Sequence, residues 1–140
     1  MITALDTNVL VALWDRDDKW SSTSEDALMS AQARGKIVIS GVVYAELMAF
    51  PRRKDTFIDQ FLTETGVGVE WAIHESMWRL AGAAYQTYAS RRRRHPGSAP
   101  RRLLADFLIG AHVQEKDYSL LTFDDRIYRI AFPKLKIVDF

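Results

Sequence analysis

Two spacings of apolar residues alternate along this chain, and their order predicts the fold. Residues 2–5, Ile-Thr-Ala-Leu, form a short apolar run that stops at Asp6, the pattern of a buried strand. Thr7 and Asn8 offer a cap, and Val9, Leu10, Leu13 and Trp14 then recur at the spacing of one helix face. Ser22-Thr23-Ser24-Glu25 matches a capping box for a second helix, which Gly35 closes after Arg34. Residues 36–40 contain Ile-Val-Ile and predict a second strand. From Gly41 onward, Val42, Val43, Ala45, Glu46, Leu47 and Ala49 predict a helix stopped by Pro51. Phe57, Ile58, Phe61 and Leu62 mark a further helix closed by Gly66, and residues 67–70 a third short strand.

Met77, Leu80, Ala81, Ala84, Tyr85 and Tyr88 share one face of a longer helix that runs into four consecutive arginines. Residues 95–100 hold two prolines and a glycine and predict a loop. A strongly apolar helix over 103–116, a fourth strand over 119–123, a short helix over 124–130 and a last strand over 136–138 complete the pattern. Strands alternating with helices predict a parallel sheet covered on both faces, a three-layer α/β/α arrangement. No repeat and no linker interrupts it, so one domain is expected over residues 1–140.

Composition narrows the chemistry. Without cysteine there is no disulfide, thiolate zinc site or cysteine nucleophile. No apolar run approaches the ~18 residues that span a bilayer, and the start MITALDTNVL does not read as a secretory signal, so a cytoplasmic protein is expected. The net charge of +1 is uneven: residues 1–70 carry 7 basic and 11 acidic side chains, residues 71–140 carry 12 and 7. That asymmetry points the second half toward a polyanion, although a solvated surface accounts for it equally well.

Four acids stand out by position. Asp6 follows the first predicted strand and Asp124 the fourth, the rim where open parallel sheets gather their chemistry. Taken singly, each also serves as a helix N-cap. Glu46, with Val42, Val43 and Ala49 on its face, and Asp106, with Leu103 and Gly110, sit on largely apolar helix faces. A carboxylate there costs several kcal/mol unless it is paired, neutralised or bound to a cation. An arginine from elsewhere is one such partner. Four acids converging on one pocket would instead need a divalent cation to stay charged together. With oxygen ligands alone, Mg²⁺ or Mn²⁺ is the natural ion.

At these residues the chain resembles the PIN-domain family, and within it the VapC-type toxins. Asp6-Thr7-Asn8 is similar to the family's opening motif. Ser40-Gly41-Val42-Val43-Tyr44-Ala45-Glu46-Leu47 is similar to the segment with its second acid, Leu104-Ala105-Asp106-Phe107-Leu108-Ile109-Gly110-Ala111 to the third, and Leu121-Thr122-Phe123-Asp124 to the fourth. Each motif alone is weak, but all four in order are fairly specific. The resemblance implies a five-stranded parallel sheet and Mg²⁺- or Mn²⁺-dependent RNA cleavage by Asp6, Glu46, Asp106 and Asp124, with Asp6 and Asp106 holding the metal. It further implies Asn8 and Thr122 as polar supports, a homodimer, and inhibition by a small VapB-type antitoxin. Asp125 competes with Asp124 for the fourth position; Thr122, two residues before, fits the family pattern for Asp124.

Arg91, Arg92, Arg93, Arg94, Arg101 and Arg102 lie in a stretch without acids and are candidate RNA-phosphate contacts. A solvated helix end favoured by the macrodipole is the alternative, and the expected nuclease pocket favours RNA contact over it. His74, His95 and His112 have no zinc-site spacing and receive no role. Trp14, Trp71, Trp78 and the tyrosines at helical spacing read as core. Two other classes remain open: a phosphoryl-transfer enzyme with Asp6 as nucleophile, and a non-catalytic RNA-binding module. The neighbours Thr7 and Asn8 lack the second acid the former expects.

Overall fold

The computed structural model describes residues 1–50, 54–95 and 104–140. Five strands, β1 (Ile2–Leu5), β2 (Lys36–Ser40), β3 (Gly68–Glu70), β4 (Ser119–Leu121) and β5 (Lys136–Ile137), form one sheet in the order β3-β2-β1-β4-β5. Every pairing is parallel. The seven helices among the described residues are α1 (Thr7–Trp14), α2 (Ser21–Arg34), α3 (Gly41–Met48), α4 (Asp55–Thr65), α5 (Glu75–Arg94), α6 (Leu104–Glu115) and α7 (Arg126–Ala131). Among the described residues no helix is long and apolar enough to cross a membrane.

The central strands are apolar on both faces because helices cover both. Leu5, Val38, Ile39, Leu120 and Leu121 are fully buried. The sheet grows from β1 to β3 in one direction, then returns to β4 and β5 on the other side of β1. Right-handed crossovers in opposite directions place their helices on opposite faces. Accordingly α1 packs on α2, while α5, α6 and α7 pack on one another. α3 touches α6 across the end of the sheet, which brings two helices distant in sequence to one rim.

Two glycines are dictated by space. Gly35, at φ 152°, joins α2 to β2 where an added Cβ would stand 2.1 Å from the Met1 carbonyl oxygen. At Gly110 a Cβ would meet the Phe132 ring at 2.4 Å, so its absence lets α6 settle against the residue that ends α7.

Several local expectations change. Of the caps the sequence offers for α1, Asp6 is the one used, its side chain accepting from the Thr7 N–H, and not Thr7 or Asn8. The capping box at Ser22–Glu25 is not used: α2 begins at Ser21 with no side-chain cap, and buried Ser24 donates to the Val9 carbonyl at 2.6 Å. α3 ends at Met48, before Pro51, which lies outside the described residues. β4 ends at Leu121, because Thr122 and Phe123 turn away to make side-chain contacts described below.

Trp71 and Trp78 are not core; they are 64% and 49% exposed. On α5 the buried stripe is Met77, Ala81, Ala84 and Tyr88, and Trp78, one residue round from Met77, faces outward. Trp71 lies edge-on to Tyr44, at 4.9 Å between ring centroids. Trp14 is half-buried in a cluster with Phe50, Phe57 and Phe61.

Candidate active site

The strand order reverses between β1 and β4, which makes their carboxyl ends the switch point where open α/β sheets bind ligands. Asp6 sits there, its N–H bonded to the Leu121 carbonyl at 3.0 Å. Its carboxylate is buried yet well supplied with donors. Oδ1 accepts from the Thr7 N–H at 2.8 Å. Oδ2 accepts from the hydroxyls of Thr122 and Tyr128, both at 2.9 Å.

Thr122 is held on every side. A hydroxyl offers one donor and two acceptor positions. Here the proton goes to Asp6, while the oxygen accepts from Asn8 Nδ2 and from the Asp124 N–H, each at 3.1 Å. Asn8 Oδ1 in turn accepts from the Phe123 N–H at 3.1 Å. This network ties the β1–α1 turn to the segment after β4 and fixes where the Asp124 backbone stands. Thr7 extends it, its hydroxyl donating to Glu46 Oε1 on α3 at 2.7 Å.

Asp6, Glu46, Asp106 and Asp124 line one cavity of about 400 Å³, together with Thr7, Asn8 and Tyr128. Four chain segments distant in sequence therefore contribute one acid each. Asp125, by contrast, lines a neighbouring cavity and pairs with Arg129 at 2.6 Å. Three further polar or aromatic residues that line the carboxylate pocket, Asp18, Trp20 and Tyr128, are not singled out by the sequence. Asp18 lies half-buried between α1 and α2, where nothing in the sequence marks it. Tyr128 lay on a short helix with nothing to mark its hydroxyl.

Electrostatics register the crowding. Burial pushes the Asp6 carboxyl above its ordinary value, the Glu46 charge adds to that, and the bonds from Thr122, Tyr128 and Thr7 pull the other way. Burial also drives the Tyr128 hydroxyl well above 10, helped by the charges of Asp6, Asp106 and Glu46. Tyr128 is thus a neutral donor amid three acids.

Among the described residues, no three acids stand together as a finished metal cage. The donor chemistry nevertheless suits a hard divalent cation: five carboxylates, counting Asp18, face one pocket, and no described lining residue is basic.

The arginines stand outside this pocket. Arg91, Arg92, Arg93 and Arg94 form the last turn of α5, and none lines the cavity. Phe107 packs against Tyr85 and Tyr88, so this turn lies at the same end of the α5–α6 pair as Asp106. Arg101 and Arg102 lie outside the described residues. His112, given no role from sequence, is buried, with Nε2 2.9 Å from Glu70 Oε1; Tyr118 donates to the other Glu70 oxygen at 2.8 Å.

Residues 3–133 match the family model of the PIN domain. No curated protein matches the chain. Among solved structures the chain is similar to VapBC2 from Rickettsia felis bound to a DNA fragment from its promoter. Identity there is 21% and the TM-score 0.72, over 99% of this chain and 98% of that one. It is similar to VapBC-1 from nontypeable Haemophilus influenzae, with 21% identity and a TM-score of 0.67 over 99% and 98% of the two chains. VapC20 from Mycobacterium tuberculosis, a sarcin–ricin loop cleaving toxin, matches with 17% identity and a TM-score of 0.58 over 89% and 92%.

Proposed function

The chain belongs to the PIN-domain family, and from that premise we propose that it is a metal-dependent endoribonuclease, the toxin half of a type II toxin–antitoxin pair. The observation that carries this reading is the convergence of Asp6, Glu46, Asp106 and Asp124 on one pocket at the sheet's switch point. The likeness in fold to VapC-type toxins supports it.

A phosphodiester resists water because its charge repels a nucleophile and its leaving oxygen is poor. Bound Mg²⁺ or Mn²⁺ supplies charge neutralisation and a more acidic water. Asp6 and Asp106 are the residues to hold it. Thr122 and Tyr128 orient Asp6 through Oδ2 and favour its charged form against the cost of burial. Thr7 engages one oxygen of Glu46, and the other is available to take a proton from the attacking water. Asp124 contributes the fourth negative charge, and Asn8 with Thr122 sets its backbone. In-line attack by water leaves a 5′-phosphate and a 3′-hydroxyl.

An aspartyl nucleophile is the poorer reading, because Asp6 is only 6% exposed and both its oxygens already accept hydrogen bonds. The proposal includes a cytoplasmic homodimer held in check by a small VapB-type antitoxin. The test is cleavage of total RNA with Mg²⁺ or Mn²⁺, with 5′-phosphate ends mapped. Cleavage that continues undiminished in EDTA overturns metal dependence. A neighbouring gene product that neither binds the chain nor relieves its toxicity removes the antitoxin half.

A further inference from the structure

Beside the carboxylate pocket lies a second cavity of about 290 Å³. The two share Trp20 and Phe123, which form the wall between them. These rings lie parallel, 5.2 Å between centroids and 10° between planes. Phe140 stands edge-on to both, 5.0 Å from Phe123 and 6.1 Å from Trp20. The Lys19 ammonium lies over the Trp20 ring at 5.5 Å, and Arg129, paired with Asp125, lines the far side.

The reading of Trp14, Trp71 and Trp78 as core left Trp20 aside, and packing alone does not explain this wall. Trp20 and Phe123 are both half-buried, and Phe140 is 57% exposed. Parallel and edge-on rings opening on a polar cavity form a surface suited to a flat ligand with a hydrogen-bonding edge. Single-stranded RNA presents such a group one sugar away from each phosphate, and proteins take such bases by stacking them on aromatic side chains. Lys19 is exposed and flexible, so it can leave the ring to a base and move to a phosphate.

We propose that the Trp20–Phe123–Phe140 wall is a nucleobase subsite, stacking a base of single-stranded RNA next to the phosphodiester presented to the carboxylate pocket. It rests on the nuclease reading for the identity of its ligand. Adjacency of the two cavities on either side of Trp20 and Phe123 is what makes that ligand a base of the same strand.

The test measures binding, so it reads out whether or not the protein cuts RNA. In an Asp6→Asn background, anisotropy is followed with a short labelled single-stranded RNA and with the same sugar–phosphate backbone carrying no bases. Trp20→Ala should weaken binding of the base-bearing strand roughly 5- to 150-fold, the effect of losing one stacked base. It should leave binding of the base-free strand unchanged. Phe140→Ala, at an exposed position, should show the same selectivity on a smaller scale, and Trp20→Phe should recover part of the loss. These two variants decide the matter if Trp20→Ala does not fold. Equal weakening of both strands, or no weakening of either, overturns the subsite. So does a wall whose loss abolishes binding of a protein partner while RNA binding is untouched. Failure of the nuclease reading appears separately, as intact RNA after incubation of the wild-type protein with Mg²⁺ or Mn²⁺.

Discussion

Replacing Tyr128 with phenylalanine removes one oxygen from the centre of the acid cluster and nothing else. The ring is 1% exposed and stays packed, so no cavity of consequence opens. The change deletes the 2.9 Å bond from the hydroxyl to Asp6 Oδ2. A hydrogen bond to a charged group contributes ~1.5–3 kcal/mol, a neutral one ~0.5–1.5 kcal/mol. At a pH above the folded value of Asp6, in metal-free buffer, Tyr128→Phe should therefore destabilise the fold by about 1.5–3 kcal/mol.

The pH dependence has a definite sign. Burial raises Asp6 above 3.8, so the folded state holds its proton more tightly than the unfolded chain. Stability assigned to Asp6 thus falls as pH rises from 3.8 through the folded value, and is level above it. Taking away a donor raises Asp6 further and enlarges that fall. The gap between wild type and Tyr128→Phe is then widest above the folded value and narrows below 3.8, where the bond becomes a neutral one. Urea unfolding of both proteins at the two pH values measures this, as a change in midpoint at constant slope. A variant as stable as wild type at the higher pH, or one with the same deficit in acid, refutes the role given to the hydroxyl.

Asp6→Asn should abolish cleavage yet raise the stability of the metal-free protein at neutral pH, a gain that vanishes below 3.8, measured by thermal melts. Asp124→Asn should abolish cleavage, while Asp125→Asn, which breaks only an exposed pair with Arg129, should retain it and cost at most about 0.5 kcal/mol; a reversed result in an RNA cleavage assay reassigns the fourth acid. Changing Arg91, Arg92, Arg93 and Arg94 to glutamine should flatten the plot of log RNA affinity against log salt by ~0.7 for each phosphate no longer neutralised. An unchanged slope returns that turn to ordinary surface. Gly110→Ala should lower stability, because overpacking against Phe132 costs ~1–3 kcal/mol and the gain in helix propensity offsets only ~1 kcal/mol of it; thermal melts measure the balance.

What the sequence made legible follows from which forces are local. Ile37, Val38 and Ile39, or Leu120 and Leu121, announce a strand covered on both faces because burial leaves no polar position in the run. The four acids were legible for the opposite reason, as charges where apolar residues were expected. Elements whose ends are settled by distant partners were not. Ser24 looked like part of a cap because its spacing fits one, but its hydroxyl is claimed by the Val9 carbonyl. Tyr128 carries no mark in sequence, since its importance lies in an aspartate 122 residues away. Trp20 was invisible in the same way, because the ring it stacks on follows β4.

The carboxylate pocket draws on segments far apart in the chain, and this sets when it can exist. Asp6 is made well before Asp106 and Asp124. At a synthesis rate of ~5–20 residues per second, Asp6 waits roughly 6–24 s for Asp124. Through that interval no arrangement of the growing chain can assemble all four carboxylates. A fragment ending before α6 lacks two of them, however well it folds. If the chain is the toxin proposed above, it is harmless to the ribosome that makes it until the last strands pair. An inhibitor translated just before it then has those seconds in which to be waiting.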